Sequence, residues 1–282
     1  MAIAPRNEYR EAVAAERMTS IPRLTGVLHL PPLPGSPRFA GDLAAIAARS
    51  AEEAALLETA GFDAVIVENF GDAPFFPGRV DPITVAAMTT CALAVRAAAP
   101  RLALGINVLR NDAESALAVA ACTGATMVRV NVHSGARITD QGVIQGAAHQ
   151  TVRLRRALGA EHIALLCDVD VKHSASLAAR PIEEEAEEVA ARGLADAVLV
   201  TGTGTGRGVD PEHLRRVASA VHVPILVASG STIEALASLR PAHGVIVGTA
   251  LRKSGRAGDP VDRDAANAFA AAFHRAQGGG PA

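Results

Sequence analysis

Apolar and polar positions alternate along the chain in two rhythms that take turns. Short runs rich in Val, Ile and Leu fall at residues 24–30, 64–68, 102–108, 127–132, 163–171, 197–201, 224–228 and 244–247. Between them lie Ala-, Leu- and Glu-rich stretches with helical spacing, of which 42–60 and 182–192 are the clearest. Strands that alternate with helices predict a parallel sheet with crossover helices. Eight such units without a change of composition predict one α/β domain, a closed (β/α)8 barrel over residues 24–276. A doubly wound open sheet is the alternative. Residues 1–23 read as an N-terminal extension and 277–282 as a disordered tail.

Loop length sets the polarity of that barrel. The links after helices are tight, as in Ala60-Gly61-Phe62-Asp63 and Ala191-Arg192-Gly193-Leu194. Those after the first, second, fourth and fifth runs are long and rich in Pro, Gly, His and Asn. Long loops in a compact domain carry function, so the site is expected at the C-terminal ends of the strands.

Composition narrows the partners. Of 282 residues 49% are hydrophobic but only 3% aromatic, so the core is expected to be aliphatic. A net charge of −2 with no basic stripe argues against nucleic acid and against an anionic membrane surface. Cys91, Cys122 and Cys167 form no CxxC pair, so reduced thiols are expected rather than a disulfide or zinc framework. No apolar run spans a membrane, and the N-terminal segment is charged and broken by Pro5, unlike a signal peptide. A cytoplasmic protein is the expectation.

The last three runs lead into glycine- and hydroxyl-rich segments: Thr201-Gly202-Thr203-Gly204-Thr205-Gly206, Ala228-Ser229-Gly230-Ser231-Thr232 and Val247-Gly248-Thr249-Ala250-Leu251. Glycine lets backbone N–H groups approach an anion, and a barrel binds phosphate most often after its seventh and eighth strands. A bound phosphate is expected there. Within the fifth run, period-2 alternation sets Asp168, Asp170 and Lys172 on one face and Val169 and Val171 on the other. The fourth run does the same with Arg129, Asn131 and His133. His29, Glu68, Asn69 and Asn107 close the first three runs, completing a polar ring for substrate.

Asp168 and Asp170 are candidate ligands of Mg2+, the alternative being an ion pair with Lys172. Lys172 stands out because Lys253 is the only other lysine. Beside two carboxylates it is expected to stay protonated and to pair with phosphate, with Schiff-base formation as its other role. His133 and His29 are candidate acid–base groups. Phe39, Phe70, Phe75 and Phe76 cluster in two loops, as a wall against a flat substrate or as a contact between copies of a homo-oligomer.

Six segments together resemble the BtpA/SgcQ family. They are Gly26-Val-Leu-His-Leu-Pro-Pro-Leu-Pro-Gly-Ser-Pro, Asp63-Ala-Val-Ile-Val-Glu-Asn-Phe-Gly-Asp-Ala-Pro-Phe, Arg129-Val-Asn-Val-His-Ser-Gly-Ala, Thr139-Asp-Gln-Gly-Val-Ile-Gln-Gly, Asp168-Val-Asp-Val-Lys-His-Ser and Thr201-Gly-Thr-Gly-Thr-Gly. The resemblance runs from about Leu24 to the last strand and implies a ribulose-phosphate-binding type of barrel. Its departures are slight: Ala175-Ser176-Leu177 stands where a proline is expected, and Ala228-Ser229-Gly230 is a mild variant. The family name also implies a non-enzymatic role in photosystem I biogenesis. Read together, these features lead to an enzyme making or breaking a glycosidic bond between a sugar phosphate and a nucleobase-like ring, assisted by Mg2+. A sugar-phosphate isomerase, epimerase or aldolase is the alternative, needing only the phosphate cradle and an acid–base pair or Lys172.

Overall fold

The structure is a computed structural model that describes residues 21–178, 180–202 and 208–277. The expected extension up to residue 20 and the tail beyond Gln277 lie outside the described residues, as do Thr203, Gly204, Thr205 and Gly206.

Eight parallel strands close into a barrel: β1 (Leu24–His29), β2 (Ala64–Glu68), β3 (Ala103–Asn107), β4 (Met127–Val130), β7 (Ala164–Val169), β9 (Ala197–Val200), β10 (Ile225–Ala228) and β11 (Gly244–Val247). Around the ring they run β1-β11-β10-β9-β7-β4-β3-β2, and the seam closes with Leu24 opposite Val245. The remaining strands, β5 (Ala136–Thr139), β6 (Gly142–Gln145) and β8 (Ala175–Ser176), form a small antiparallel sheet over the barrel mouth's β4–β7 sector. It is built from the long loops after β4 and β7, which the periodicity reads only as loops.

Among the described residues seven α-helices follow the strands: α1 (Leu43–Thr59), α2 (Pro82–Ala98), α3 (Ala113–Thr123), α4 (Ala148–Ala157), α5 (Ile182–Glu187), α6 (Pro211–Ala220) and α7 (Arg263–Ala276). Asp42, Asp112, Asp210 and Asp262 accept hydrogen bonds from the first-turn N–H groups of α1, α3, α6 and α7. Between β10 and β11 only a 3-10 turn, Leu236–Leu239, takes the place of a helix.

Strand alternation separates two cores. Val65, Val67, Val128, Val130, Val198, Val200, Val245 and Val247 face the helices. Ala64, Ile66, Met127, Leu166, Leu199, Leu226 and Ile246 fill the barrel interior. Ile21 belongs to that interior cluster, 3% exposed, and its carbonyl accepts from His243 Nε2 at 2.8 Å. Packing therefore starts three residues before β1, inside the stretch that reads as an extension. The interior series continue upward into polar side chains: Val27 to His29, Ile66 to Glu68, Met127 to Arg129 and Leu166 to Asp168. The side-chain period of two obliges these groups to point into the mouth. Cys91 and Cys167 are buried free thiols and Cys122 is an exposed one. No described helix is long and apolar enough to cross a membrane.

Candidate functional site

At the C-terminal ends of the strands a cleft is lined by His29, Glu68, Phe70, Arg129 and Lys172 on one side and by Ser229, Gly248 and Thr249 on the other. Glu68 Oε2 accepts from Asn107 Nδ2 at 2.7 Å, which leaves Oε1 3.7 Å from His29 Nε2. On the other side of the His29 ring, Nδ1 accepts the Gly258 N–H at 3.3 Å. The ring proton therefore sits on Nε2, aimed at Glu68 and the cleft. Phe70 packs on the imidazole with centroids 4.5 Å apart. Burial first, then the positive charges of Arg252, Lys172 and Arg129, hold the His29 pKa well below the usual imidazole range. His29 is a neutral hydrogen-bond donor at physiological pH.

Arg129 and Asp168 form a buried fork, Nε to Oδ2 and Nη2 to Oδ1, both at 2.9 Å. Asn131 Nδ2 adds a bond to Asp168 Oδ2 at 3.0 Å, while its own Oδ1 is buried with no partner among the described residues. Lys172 is half-buried beside this pair. Burial, followed by the adjacent Arg129 charge, lowers its pKa from the ordinary lysine value. The two carboxylates expected beside it are not both there: Arg129 pairs with Asp168, and the other is elsewhere.

That other is Asp170. The strand ends at Val169, and Asp170 takes a left-handed φ of 51°. Its side chain turns away, exposed, to Arg137 Nη1 at 2.7 Å, while its backbone N–H donates to Glu185. Asp168 and Asp170 do not converge. Asp168 already accepts three hydrogen bonds from Arg129 and Asn131, so this pair does not fit a Mg2+ ion. Among the described residues no cluster of three His, Cys, Asp or Glu side chains is placed for a metal.

Two further expected site residues serve the scaffold. His133 lies past the end of β4 and turns its Nε2 onto the Gly193 carbonyl at 2.8 Å, outside the mouth cleft. Asn69 is a brace: Nδ2 donates to Asp72 at 3.0 Å and Oδ1 accepts the Leu109 N–H at 2.7 Å. Asn69→Ala is expected to cost about 2 kcal/mol of stability, since it orphans buried polar groups, and to leave phosphate affinity unchanged. Urea unfolding and a phosphate titration of the same variant check this. Of the phenylalanines, Phe70 reaches the cleft, Phe75 and Phe76 line a separate pocket beside Gly35 and Leu109, and Phe39 packs on the outer core.

On the loop after β10, Ser229 and Gly230 both have positive φ, 117° and 68°. A backbone turned in this way at two successive positions makes the loop a candidate anion nest. Ser231 Oγ is buried in the same loop without a partner among the described residues, and Thr232 Oγ1 accepts the Ala235 N–H at 3.3 Å. After β11, a Cβ on Gly248 would lie 3.1 Å from His29 Cε1, so the backbone runs close to the His29 ring. Thr201 Oγ1 is spent on the Asp170 carbonyl at 3.2 Å, and Gly202 is buried at the end of the same strand.

Two arginines of the mouth carry no sequence signal. Arg252, one residue past the last Gly-rich segment, donates to the carbonyls of Gly248 at 2.6 Å, Val27 at 2.8 Å and Asp259 at 3.2 Å. Burial lowers its pKa to about 10. Arg110, beyond β3, donates from Nη2 to the Lys172 carbonyl at 2.8 Å. Neither lies on the period of its strand, so only the folded loop places it.

Residues 21–275 match the model of the BtpA family. The Photosystem I biogenesis protein BtpA of Synechocystis sp. is 42% identical over 248 residues, covering 86% of this chain and 85% of that protein. An uncharacterized protein of Thermococcus kodakarensis is 43% identical over 244 residues, covering 86% and 92%. Among solved structures, (S)-3-O-geranylgeranylglyceryl phosphate synthase from Thermoplasma acidophilum aligns with a TM-score of 0.57 at 18% identity, over 94% of this chain and 98% of that one. Thiamine phosphate pyrophosphorylase from Pyrococcus furiosus aligns with a TM-score of 0.56 at 14% identity, over 90% and 96%. At such identities the likeness shows the barrel fold.

Proposed function

The chain belongs to the BtpA family, and from that premise and the geometry of the mouth we propose that it is an enzyme acting on a phosphorylated sugar by carbonyl chemistry, of isomerase, epimerase or aldolase type. One observation carries the reading: an amine and a His–Glu pair share a cleft with the nested Ser229–Gly230 turn and Gly248. The phosphate sits on the loops after β10 and β11, held by the N–H groups of Gly230 to Thr232 and Gly248 to Thr249 and by Ser231 Oγ.

With the phosphate there, the sugar chain crosses the cleft toward Lys172. The neutral amine attacks the substrate carbonyl carbon, and the C=O electron pair moves to oxygen, which takes a proton. That proton comes from solvent, His29 Nε2–H only hydrogen-bonding to the developing oxyanion, and loss of water then leaves an iminium at Lys172. Glu68 then removes a proton from the neighbouring carbon, or receives the hydroxyl proton as a carbon–carbon bond breaks. Hydrolysis of the imine returns the amine.

Mg2+-assisted glycosyl transfer, which the alternation of Asp168 and Asp170 favours, loses its metal pair in the fold and is the lesser reading. A purely structural role in photosystem biogenesis, suggested by the name of the cyanobacterial relative, gives His29, Glu68 and Lys172 no task.

Ser231→Ala tests the phosphate assignment. It removes a buried hydroxyl that lacks a partner, so thermal stability is expected to hold or rise. Affinity for glycerol 3-phosphate, measured by calorimetry, is expected to fall about tenfold or more, because a hydrogen bond to a charged group is lost. An unchanged affinity would move the phosphate elsewhere.

A further inference from the structure

The mouth holds a buried guanidinium that no carboxylate touches among the described residues. Arg129 is matched by Asp168, and Glu68 is engaged by Asn107. Arg110, 7% exposed, is matched by neither. The acids whose field reaches it are Asp168, Glu68 and Asp140, and the last, at the turn of the β5–β6 hairpin, accepts from Gln141. Among the described residues neither Arg110 nor Lys172 takes part in an ion pair. A guanidinium buried in that state is costly without an anion. Its bond to the Lys172 carbonyl uses one N–H and leaves donors that suit a planar, doubly bonded anion.

Position gives this charge a meaning. Arg110 follows β3, and around the ring β3 stands opposite β10, whose loop carries the Ser229–Gly230 nest. Its guanidinium is tied to the backbone carbonyl of Lys172, across the mouth from the phosphate loops. We propose that Arg110 forms a second anion site, and that the substrate carries an anionic group, carboxylate or phosphate, at the end opposite its phosphate. The inference rests on the phosphate reading above and specifies the substrate class within it. A monophosphate without a second charge would leave Arg110 uncompensated in the bound complex.

The test uses probes matched in length. Glycerol 3-phosphate and 3-phosphoglycerate differ by a hydroxymethyl group against a carboxylate. Ribulose 5-phosphate and ribulose 1,5-bisphosphate differ by a second phosphate. Each is titrated calorimetrically into the full chain, into Arg110→Gln and into Arg110→Lys, with both variants first shown to melt as the wild type does. The wild type is expected to bind the doubly anionic member of one pair about tenfold tighter or more. Which pair shows the gain identifies the second group as carboxylate or phosphate. Arg110→Gln is expected to erase the gain without weakening the singly anionic partner, and Arg110→Lys to retain part of it. Equal affinities within both pairs, or a gain that survives in Arg110→Gln, would overturn the second site and leave the phosphate reading standing. Failure of all four probes to bind would overturn the phosphate reading, and this inference with it.

Discussion

Lys172→Met is expected to lower turnover of the productive sugar phosphate by about a thousandfold or more, the scale on which loss of a covalent nucleophile or acid–base group acts. The amine lines the cleft beside His29, Glu68 and Arg129. Its pKa is lowered by burial and by Arg129, which raises the fraction present as the neutral nucleophile. The sign of the pH dependence follows. Protonation removes the nucleophile, so activity falls as pH drops through the Lys172 pKa, and that limb lies at lower pH than for a free lysine. His29, neutral throughout the physiological range, adds no limb near pH 6.5.

The direct measurement is borohydride reduction in the presence of a candidate ketose or aldose phosphate, followed by intact mass. A reduced adduct is expected on the wild type and none on Lys172→Met. Absence of any adduct, with activity that disappears in EDTA and depends on a pyrophosphorylated sugar, would overturn the carbonyl reading and restore Mg2+-assisted glycosyl transfer.

The second large effect is on stability. Asp168→Asn is expected to cost about 3–5 kcal/mol, because it leaves the Arg129 guanidinium charged and unmatched inside the barrel. Both side chains are almost fully buried, and the carboxylate accepts two bonds from Arg129 and one from Asn131. For a domain of this size that loss lowers the melting temperature by about 10 °C, read by calorimetry. Replacing the pair together, Arg129→Met with Asp168→Leu, is expected to recover most of the loss, since an apolar pair of similar volume tolerates the same space. The recovered protein lacks the cation of the cleft and is expected to bind glycerol 3-phosphate more weakly than wild type. A single Asp168→Asn variant as stable as wild type would show that Arg129 finds its counter-charge elsewhere.

Most of the barrel is legible in the alternation of residues. Side chains of a strand point alternately to its two faces as a consequence of covalent geometry, so Val65, Ile66, Val67 and Glu68 sort themselves between helices and mouth before any contact is known. The same rule places His29, Asn107, Arg129 and Asp168, and the clustering of glycines and hydroxyls marks the anion loops.

The rule holds only while the strand lasts. Asp170 follows Val169 in sequence but leaves the pleat at a positive φ and goes to Arg137. His133 lies past the end of β4 and bonds to Gly193, while Asn69, one residue past β2, braces Asp72 and Leu109.

Sequence by itself thus determined the barrel and which side chains within the strands reach its mouth, because backbone periodicity is local. Tertiary structure alone decided which charges cancel. The pairing of Arg129 with Asp168 depends on β4 lying beside β7, and the placing of Arg110 against Lys172 depends on loops of distant strands meeting over the mouth. Charge balance in a buried site is a property of neighbours in space, and neither composition nor spacing along the chain records it.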